Sequence, residues 1–90
     1  MKYEINLQSS SQEVLLFLQS ENYDVFYEDS EFGLIVELNT IVEETNFKKF
    51  ISNFELDDDL DGLEKDKYLV VEGYYLNEHF VSLTLTKMKD

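Results

Sequence analysis

Carboxylates concentrated between positions 55 and 66 are the side chains of this chain with the clearest capacity for chemistry. The acids of this segment, called the loop acids below, are Glu55, Asp57, Asp58, Asp59, Asp61, Glu64 and Asp66. Carboxylate oxygens are preferred ligands of Ca²⁺. A dense row of them also approaches the charge density of DNA, about one charge per 1.7 Å of helix axis. The segment has no hydrophobic periodicity, so we predict an exposed acidic loop.

Part of this segment has the spacing of the first half of an EF-hand calcium loop. In that loop, spaced oxygens converge on the ion and a glycine permits a sharp turn. The matching residues are Asp57, Asp59, Asp61 and Gly62. The position that should supply a closing bidentate glutamate is Tyr68. Two interpretations stay open, a calcium-binding loop and a solvated loop with weak cation affinity.

A second group of acids surrounds the first predicted hairpin. These hairpin acids are Asp24, Glu28, Asp29 and Glu31, with Glu21 just before them. Alternate residues of a strand share a face at a spacing of roughly 6.6 Å, which aligns Asp24, Phe26 and Glu28. Carboxylates spaced in this way can replace a run of phosphates in front of a basic groove. The simpler interpretation is that they occupy the solvent face of a sheet.

Catalytic motifs are missing from the sequence. His79 is the single histidine and lies beside a predicted turn, where we expect a surface residue. The chain has no cysteine, no glycine-rich phosphate loop, no paired metal-binding histidines and no serine in a nucleophile-elbow context. We therefore predict a protein that is not an enzyme and holds no cofactor.

The charge balance indicates the kind of partner. The chain has 20 Asp and Glu residues against 7 Lys and no Arg, for a formal net charge of −13. A small domain needs a net charge of magnitude only about 2–8 to stay in solution, and further charge destabilises the compact state by self-repulsion. Direct nucleic-acid binding and docking on an anionic membrane are disfavoured, because both depend on Lys and Arg. A strongly basic protein surface is the predicted partner.

Aromatic side chains supply a second component of a possible interface. Tyr74 and Tyr75 are adjacent on a predicted strand and must point to opposite faces. Phe26 and Tyr27 are adjacent in the same way. Exposed aromatics beside acids are typical of surfaces that bind arginine-rich partners. Filling of a thin core is the alternative for most of them.

Hydrophobic patterning predicts an α+β fold in the order β-α-β-β-α-β-β, as a single small domain spanning residues 1–90. The first six elements have the order of a ferredoxin-like split βαβ unit, and a final strand is appended. We expect a mainly antiparallel sheet with two helices packed on one face. Capping-box pairs predict the helix starts. The predicted segments are strand 1–8, helix 11–21 after Ser10 and Glu13, strands 23–28 and 32–38, a helix after Thr40 and Glu43 with the stripe Val42, Phe47, Phe50, Ile51 and Phe54, and strands 68–76 and 79–88.

The chain resembles the small acidic proteins of bacteriophages and mobile elements that block host defence nucleases, the DNA-mimic anti-CRISPR and antirestriction inhibitors. The resemblance lies in the acidic loop, the aromatic strands and the small size. The stretches 13–38 and 47–54 (FKKFISNF) follow the helix, hairpin and second-helix order of a Cas9-inhibiting member of that class. That member ends in helices, whereas this chain ends in a predicted hairpin, so no individual contact is transferred. The resemblance implies occupancy of a basic nucleic-acid channel by surface carboxylates.

The leading hypothesis is therefore a non-enzymatic inhibitor that binds the basic nucleic-acid-binding surface of a nuclease through the hairpin acids and the loop acids. One alternative is an immunity protein or antitoxin that neutralises a basic toxin nuclease. Another is a calcium-binding interaction module that uses the 57–62 segment. The N-terminus has no apolar stretch of signal-peptide length, so we expect a cytoplasmic protein, and charged sheet edges favour a monomer.

Overall fold

The computed structural model describes residues 1–65 and 67–88, with the backbone alone described at Glu64 and Lys65. The α+β class and the antiparallel sheet are confirmed, since six antiparallel strands form one sheet accompanied by three helices. In chain order the elements are β1 (Lys2–Ser9), α1 (Gln12–Ser20), β2 (Phe26–Ser30), β3 (Gly33–Glu43), α2 (Glu44–Ile51), β4 (Phe54–Leu56), α3 (Asp61–Lys65), β5 (Tyr68–Tyr75) and β6 (His79–Lys87).

The strand order in the sheet is β2-β3-β1-β6-β5-β4, and every neighbouring pair is antiparallel. β1 and β2 are thus parallel with β3 between them and α1 connecting them, which is a split βαβ arrangement. A repeat of that arrangement would place the strand after α2 beside β1, but β6 occupies that position and β4 lies at the far edge. The ferredoxin-like prediction is correct for the first half of the fold and wrong for the strand after α2.

One hydrophobic core lies between a single face of the sheet and the helices. The alternation of β1 buries Tyr3, Ile5 and Leu7, and the matching positions of β6 bury Val81, Leu83 and Leu85. The buried residues of the helices, which belong to the same cluster, are Val14, Leu15, Leu18, Phe47, Phe50 and Leu63. Aromatic stacking connects the sheet to α2, since the ring of Tyr3 stacks on that of Phe47 with centroids 4.1 Å apart. The other face of the sheet has no helix covering it within the described residues, and we call it the open face.

The first helix begins one residue later than predicted. Ser11 is its N-cap, and its hydroxyl accepts a hydrogen bond from the Val14 N–H at 3.4 Å. Such a bond satisfies one of the backbone donors that a helix leaves unpaired in its first turn. The predicted capping box of Ser10 and Glu13 is therefore wrong by one position.

The second helix also differs from its prediction. Thr40 and Val42, predicted as the cap and the first stripe residue of this helix, lie inside β3, which continues to Glu43, and α2 has no side-chain cap. The eleven-residue length of β3 reflects its pairing with all of β1, from Lys2 opposite Glu43 to Ser9 opposite Val36. Long-range pairing thus overrides the local capping signal.

The segment predicted as an acidic loop contains two short elements. Phe54 belongs to β4 and not to the helical stripe, and it packs against Phe50 at 5.2 Å while pairing with Tyr75. The backbone of residues 61–65 forms α3, whose Leu63 is buried in the core. Among the described residues of this segment, 57–60 form the connection that the sequence predicted.

The inward face of the central strands sets the stability of the domain. Leu83→Ala removes a side chain with no exposed surface from β6, so we expect a loss of about 2–5 kcal/mol in unfolding free energy. Thr84→Ala, on the neighbouring and partly exposed open-face position, should lower it by no more than about 1 kcal/mol. Urea denaturation of both variants checks this. Equal losses would contradict one-sided burial.

Gly73 allows β4 to approach β5. A Cβ at this position would overlap the Glu55 carbonyl oxygen and lie 3.1 Å from its carbonyl carbon. We expect Gly73→Ala to lower the unfolding free energy by about 1–3 kcal/mol, because backbone atoms must shift.

Gly62→Ala is the matched control for that substitution. Its Cβ would meet only the flexible end of Leu69, at 3.2 Å, and alanine favours the helix. Denaturation curves should leave Gly62→Ala close to wild type. A Gly73→Ala protein as stable as wild type would show that β4 does not pair as described.

Candidate functional site

The open face carries the outward-pointing residues of all the strands. Its glutamates lie at strand positions that alternate with the buried residues, or directly opposite such a position on the neighbouring strand. They are Glu4, Glu28, Glu37, Glu43, Glu55 and Glu72. Among the described strand residues, Lys2 is the one lysine on this face, and it lies opposite Glu43. The open face is therefore strongly negative.

Apolar and aromatic residues share this face with the acids. Those with exposed side chains are Phe26, Ile35, Ile41, Tyr68, Val70, Tyr74 and Phe80. Tyr74 and Phe80 pair across β5 and β6, with ring centroids 5.8 Å apart in an edge-to-face arrangement. Tyr75 points to the helix side of the sheet, where its ring stacks on that of Phe17 with centroids 4.7 Å apart. The predicted placement of Tyr74 and Tyr75 on opposite faces is therefore confirmed.

Both hairpin turns lie at one end of the open face, which we call the turn end. The β2–β3 turn follows Ser30 and the β5–β6 turn follows Tyr75. β1 leaves the sheet at Ser9, and a cavity of about 290 Å³ opens beyond it between β3 and β6. Residues that line this cavity include Gln8, Ser10, Ile35, Glu37, Phe80 and Ser82. The turn end thus combines a shallow depression with exposed rings.

The structure places the hairpin acids around the edge strand β2. Glu28 pairs with Ile35 and lies on the open face, whereas Asp29 pairs with Leu34 and points to the helix side. Glu31 is in the turn beside Phe32, which is 93% exposed. Asp24 precedes β2 and lines a shallow cavity with Phe26 and Glu37. These acids are exposed, or partly exposed, but they do not form one row.

The loop acids lie at the opposite edge of the sheet. Glu55 is on the open face of β4, and Asp57, Asp58, Asp59 and Asp61 follow it as exposed residues. The side chain of Glu64 and all of Asp66 lie outside the described residues. With six strands about 4.8 Å apart, the two acidic groups are roughly 24 Å from each other. The structure therefore does not join the hairpin acids to the loop acids.

Two carboxylates in the 57–60 connection accept hydrogen bonds from nearby backbone N–H groups. Asp58 Oδ1 accepts a hydrogen bond from the Asp59 N–H at 3.1 Å, and Asp59 Oδ1 accepts one from the Asp61 N–H at 3.2 Å. In the described part of the chain, no group of three or more acidic, histidine or cysteine side chains is arranged to hold a metal ion. The calcium-binding hypothesis gains no geometric support from this segment.

Sequence reasoning missed Glu37 and Glu72 as candidate site residues. Both lie on the open face, in the same cross-strand row as Gln8 and Ser82. Three inter-strand spacings separate them, roughly 14 Å. A signal was present, because each occupies an outward position of a predicted strand. Sequence alone could not place β3 and β5 on either side of the β1–β6 pair.

Side-chain amides hold two of the open-face carboxylates. Asn39 Nδ2 donates to Glu4 Oε2 at 3.1 Å and also contacts the Asn6 amide oxygen. With its amide nitrogen turned toward the carboxylate, Asn77 donates to both oxygens of Glu55, at 2.6 and 2.5 Å. Asn77 has a φ of 61°, in the tight turn before β6. Turn geometry therefore fixes the orientation of Glu55.

His79 is more enclosed than the surface residue that the sequence predicted. Its side chain is 22% exposed, and its Nδ1 lies 3.0 Å from the Ser11 hydroxyl. The Ser9 hydroxyl donates to the Phe80 carbonyl at 2.8 Å beside it. Together these contacts join the start of α1 to the start of β6. A structural role for His79 follows directly from this position.

Comparison of the chain with protein-family models, curated proteins and solved structures found no match. Across the part of the chain that the structure describes, every helix is too short or too polar to cross a bilayer. The residues themselves therefore carry the functional argument.

The titration of Tyr23 is perturbed in a way that bears on stability. Burial raises the pKa of its hydroxyl, and the neighbouring Glu21 carboxylate raises it further. The ring packs edge-to-face on Phe50 at 5.6 Å, against the end of α2. The folded protein therefore holds this proton more tightly than the unfolded chain does.

Tyr23→Phe tests this coupling. The raised pKa of Tyr23 contributes to the unfolding free energy. This contribution is fully present below the pKa of the unfolded chain, about 10, and it is lost as the pH rises through the pKa of the folded protein. Wild type should therefore lose more unfolding free energy than Tyr23→Phe between neutral pH and pH values above about 10. Urea denaturation at both pH values measures the difference. A difference independent of pH would contradict the assignment.

Proposed function

We propose that this protein binds the basic nucleic-acid-binding surface of another protein, in the manner of a DNA mimic, and thereby inhibits a nuclease. It acts without catalysis, as a monomer in the cytoplasm. The observation that carries the proposal is the division of charge at the turn end of the open face. Glu28 and Glu37 lie on one side of the β1–β6 pair, and Glu55 and Glu72 lie on the other.

The spacing of these two acidic sides supports mimicry of a duplex groove. Glu37 and Glu72 are roughly 14 Å apart across uncharged Gln8 and Ser82. The major groove of B-DNA is about 12 Å wide, with phosphates along both borders. Two pairs of carboxylates on either side of a neutral centre present a related pattern of charge to a basic partner.

The exposure of the charged side chains also supports a basic partner. No charged residue is buried in the described structure, and Lys48 pairs with Glu44 on the surface of α2, away from the open face. The net charge of −13 therefore creates a field that extends into solvent. Such a field mainly accelerates association with a positive surface and makes it sensitive to salt.

An immunity protein that neutralises a basic toxin nuclease would use the same surface physics. Gene neighbourhood separates the two, because a toxin gene should adjoin an immunity gene. Phage or plasmid genes should adjoin a defence inhibitor.

Affinity capture tests the proposed function. Immobilised protein is exposed at low salt to lysate from cells that carry the gene, and bound material is eluted separately by DNA, by RNA and by a salt step. We expect a basic nucleic-acid-binding protein that nucleic acid displaces, because both ligands would occupy one surface. The purified target should then lose nuclease activity at one equivalent of this protein.

A charge-neutralised bait is the control. The variant replaces Glu28, Glu37, Glu55 and Glu72 with Gln, and we expect it to retain the native melting profile and lose the target. A partner that nucleic acid leaves in place would contradict the proposal. A lysate from which wild type and variant retain the same proteins, or none, would also contradict it.

A further inference from the structure

The turn end of the open face has features beyond negative charge. Tyr74 is 41% exposed and Phe80 is 45% exposed, although each lies within a regular strand and not in a loop. In their cross-strand row they lie between Glu55 at one edge and the depression that contains Ile35. Exposed rings in the centre and carboxylates at the border describe the usual composition of a binding hot spot and its polar rim.

The negative charge around these rings determines which kind of ligand can bind over them. Nucleic acid is excluded by the glutamates on both sides. A second copy of this chain is disfavoured for the same reason, because a two-fold interface would place the same acidic face against itself. A cationic segment of another protein is the complementary occupant.

The exposed rings interact differently with the two cationic side chains, arginine and lysine. A guanidinium group is planar, weakly hydrated and able to stack on an aromatic face while it donates to a carboxylate at its edge. A lysine ammonium is a compact, strongly hydrated charge that gains less from such a surface. Glu55, which the Asn77 amide contacts, lies directly opposite Tyr74, and Glu72 lies two residues before Tyr74 on the same face of β5. A bidentate partner for a stacked guanidinium is therefore near each ring.

We propose that the turn end of the open face binds an arginine-bearing segment of the partner and prefers arginine to lysine. The residues that set the preference are Tyr74 and Phe80, and the carboxylates that pair with the guanidinium are Glu37, Glu55 and Glu72. The loop acids from Asp57 onward add long-range attraction without contacting this segment. This inference rests on the proposed function and names the chemistry of its partner surface.

Calorimetric titration with an oligo-arginine peptide and an oligo-lysine peptide of equal length tests the preference. Wild type at low salt should bind the arginine peptide about fivefold more tightly, which is the effect of one exposed cation–π contact. Tyr74→Leu/Phe80→Leu should bring the ratio of the two affinities close to one and leave the affinity for the lysine peptide unchanged. Tyr68→Leu, at the other end of the open face, should keep the wild-type ratio.

A charge-matched pair of variants tests the location. Glu37→Gln/Glu55→Gln/Glu72→Gln and Asp57→Asn/Asp58→Asn/Asp59→Asn change the net charge equally. We expect the first to weaken binding of the arginine peptide at least tenfold, as loss of charge-assisted contacts predicts, and the second to weaken it about twofold. Thermal melting confirms that each variant folds, since all the substituted side chains are exposed.

The outcomes separate this inference from the proposed function. Equal weakening by both triple variants, or a wild-type protein that binds both peptides equally, would overturn the arginine site while a basic partner remains supported. Failure of wild type to bind either peptide at low salt would overturn both proposals.

Discussion

Burial on one side of the sheet is the constraint on which the rest of this structure depends. The central strands β1 and β6 alternate strictly, and their inward side chains Ile5, Val81, Leu83 and Leu85 have no exposed surface. A slip of one residue would exchange the buried and exposed sets, so register is strongly specified. Because α1, α2 and α3 all pack on the inward side, every outward residue is assigned to the open face. The acidic and aromatic composition of that face is thus a direct consequence of how the core is built.

The charge of the chain is compatible with folding only because the core excludes it. A buried carboxylate without a partner would cost several kcal/mol or would take up a proton. Among the described residues no polar or charged side chain is buried, and the acids lie on the open face, at the two sheet edges, in the turns and on the exposed sides of the helices. Mutual repulsion among them destabilises the isolated domain, and a basic partner would relieve it. The stability of the domain and the proposed binding would therefore depend on the same carboxylates.

Patterns with a short range in sequence were predictable here, and arrangements that depend on strand order were not. Alternation in β1 and in the β5–β6 hairpin revealed those strands, and the 47, 50, 51 spacing revealed α2. Phe54 fits both a helical stripe and a strand, so β4 could not be distinguished until its pairing with Tyr75 was known. The sequence identified the two acidic groups but not their separation by the width of the sheet. Glu37 and Glu72 face the same side across the central strands only because β3 and β5 flank them, and that is long-range information.

We propose that a basic partner binds the open face at its turn end. Amide chemical-shift changes of the ¹⁵N-labelled protein, recorded during titration with the captured target, test this most directly. We expect changes concentrated in β3, β5 and β6 around Glu37, Glu72, Tyr74 and Phe80, with the helices nearly unaffected. Changes confined to residues 57–60, or centred on α1 and α2, would contradict it.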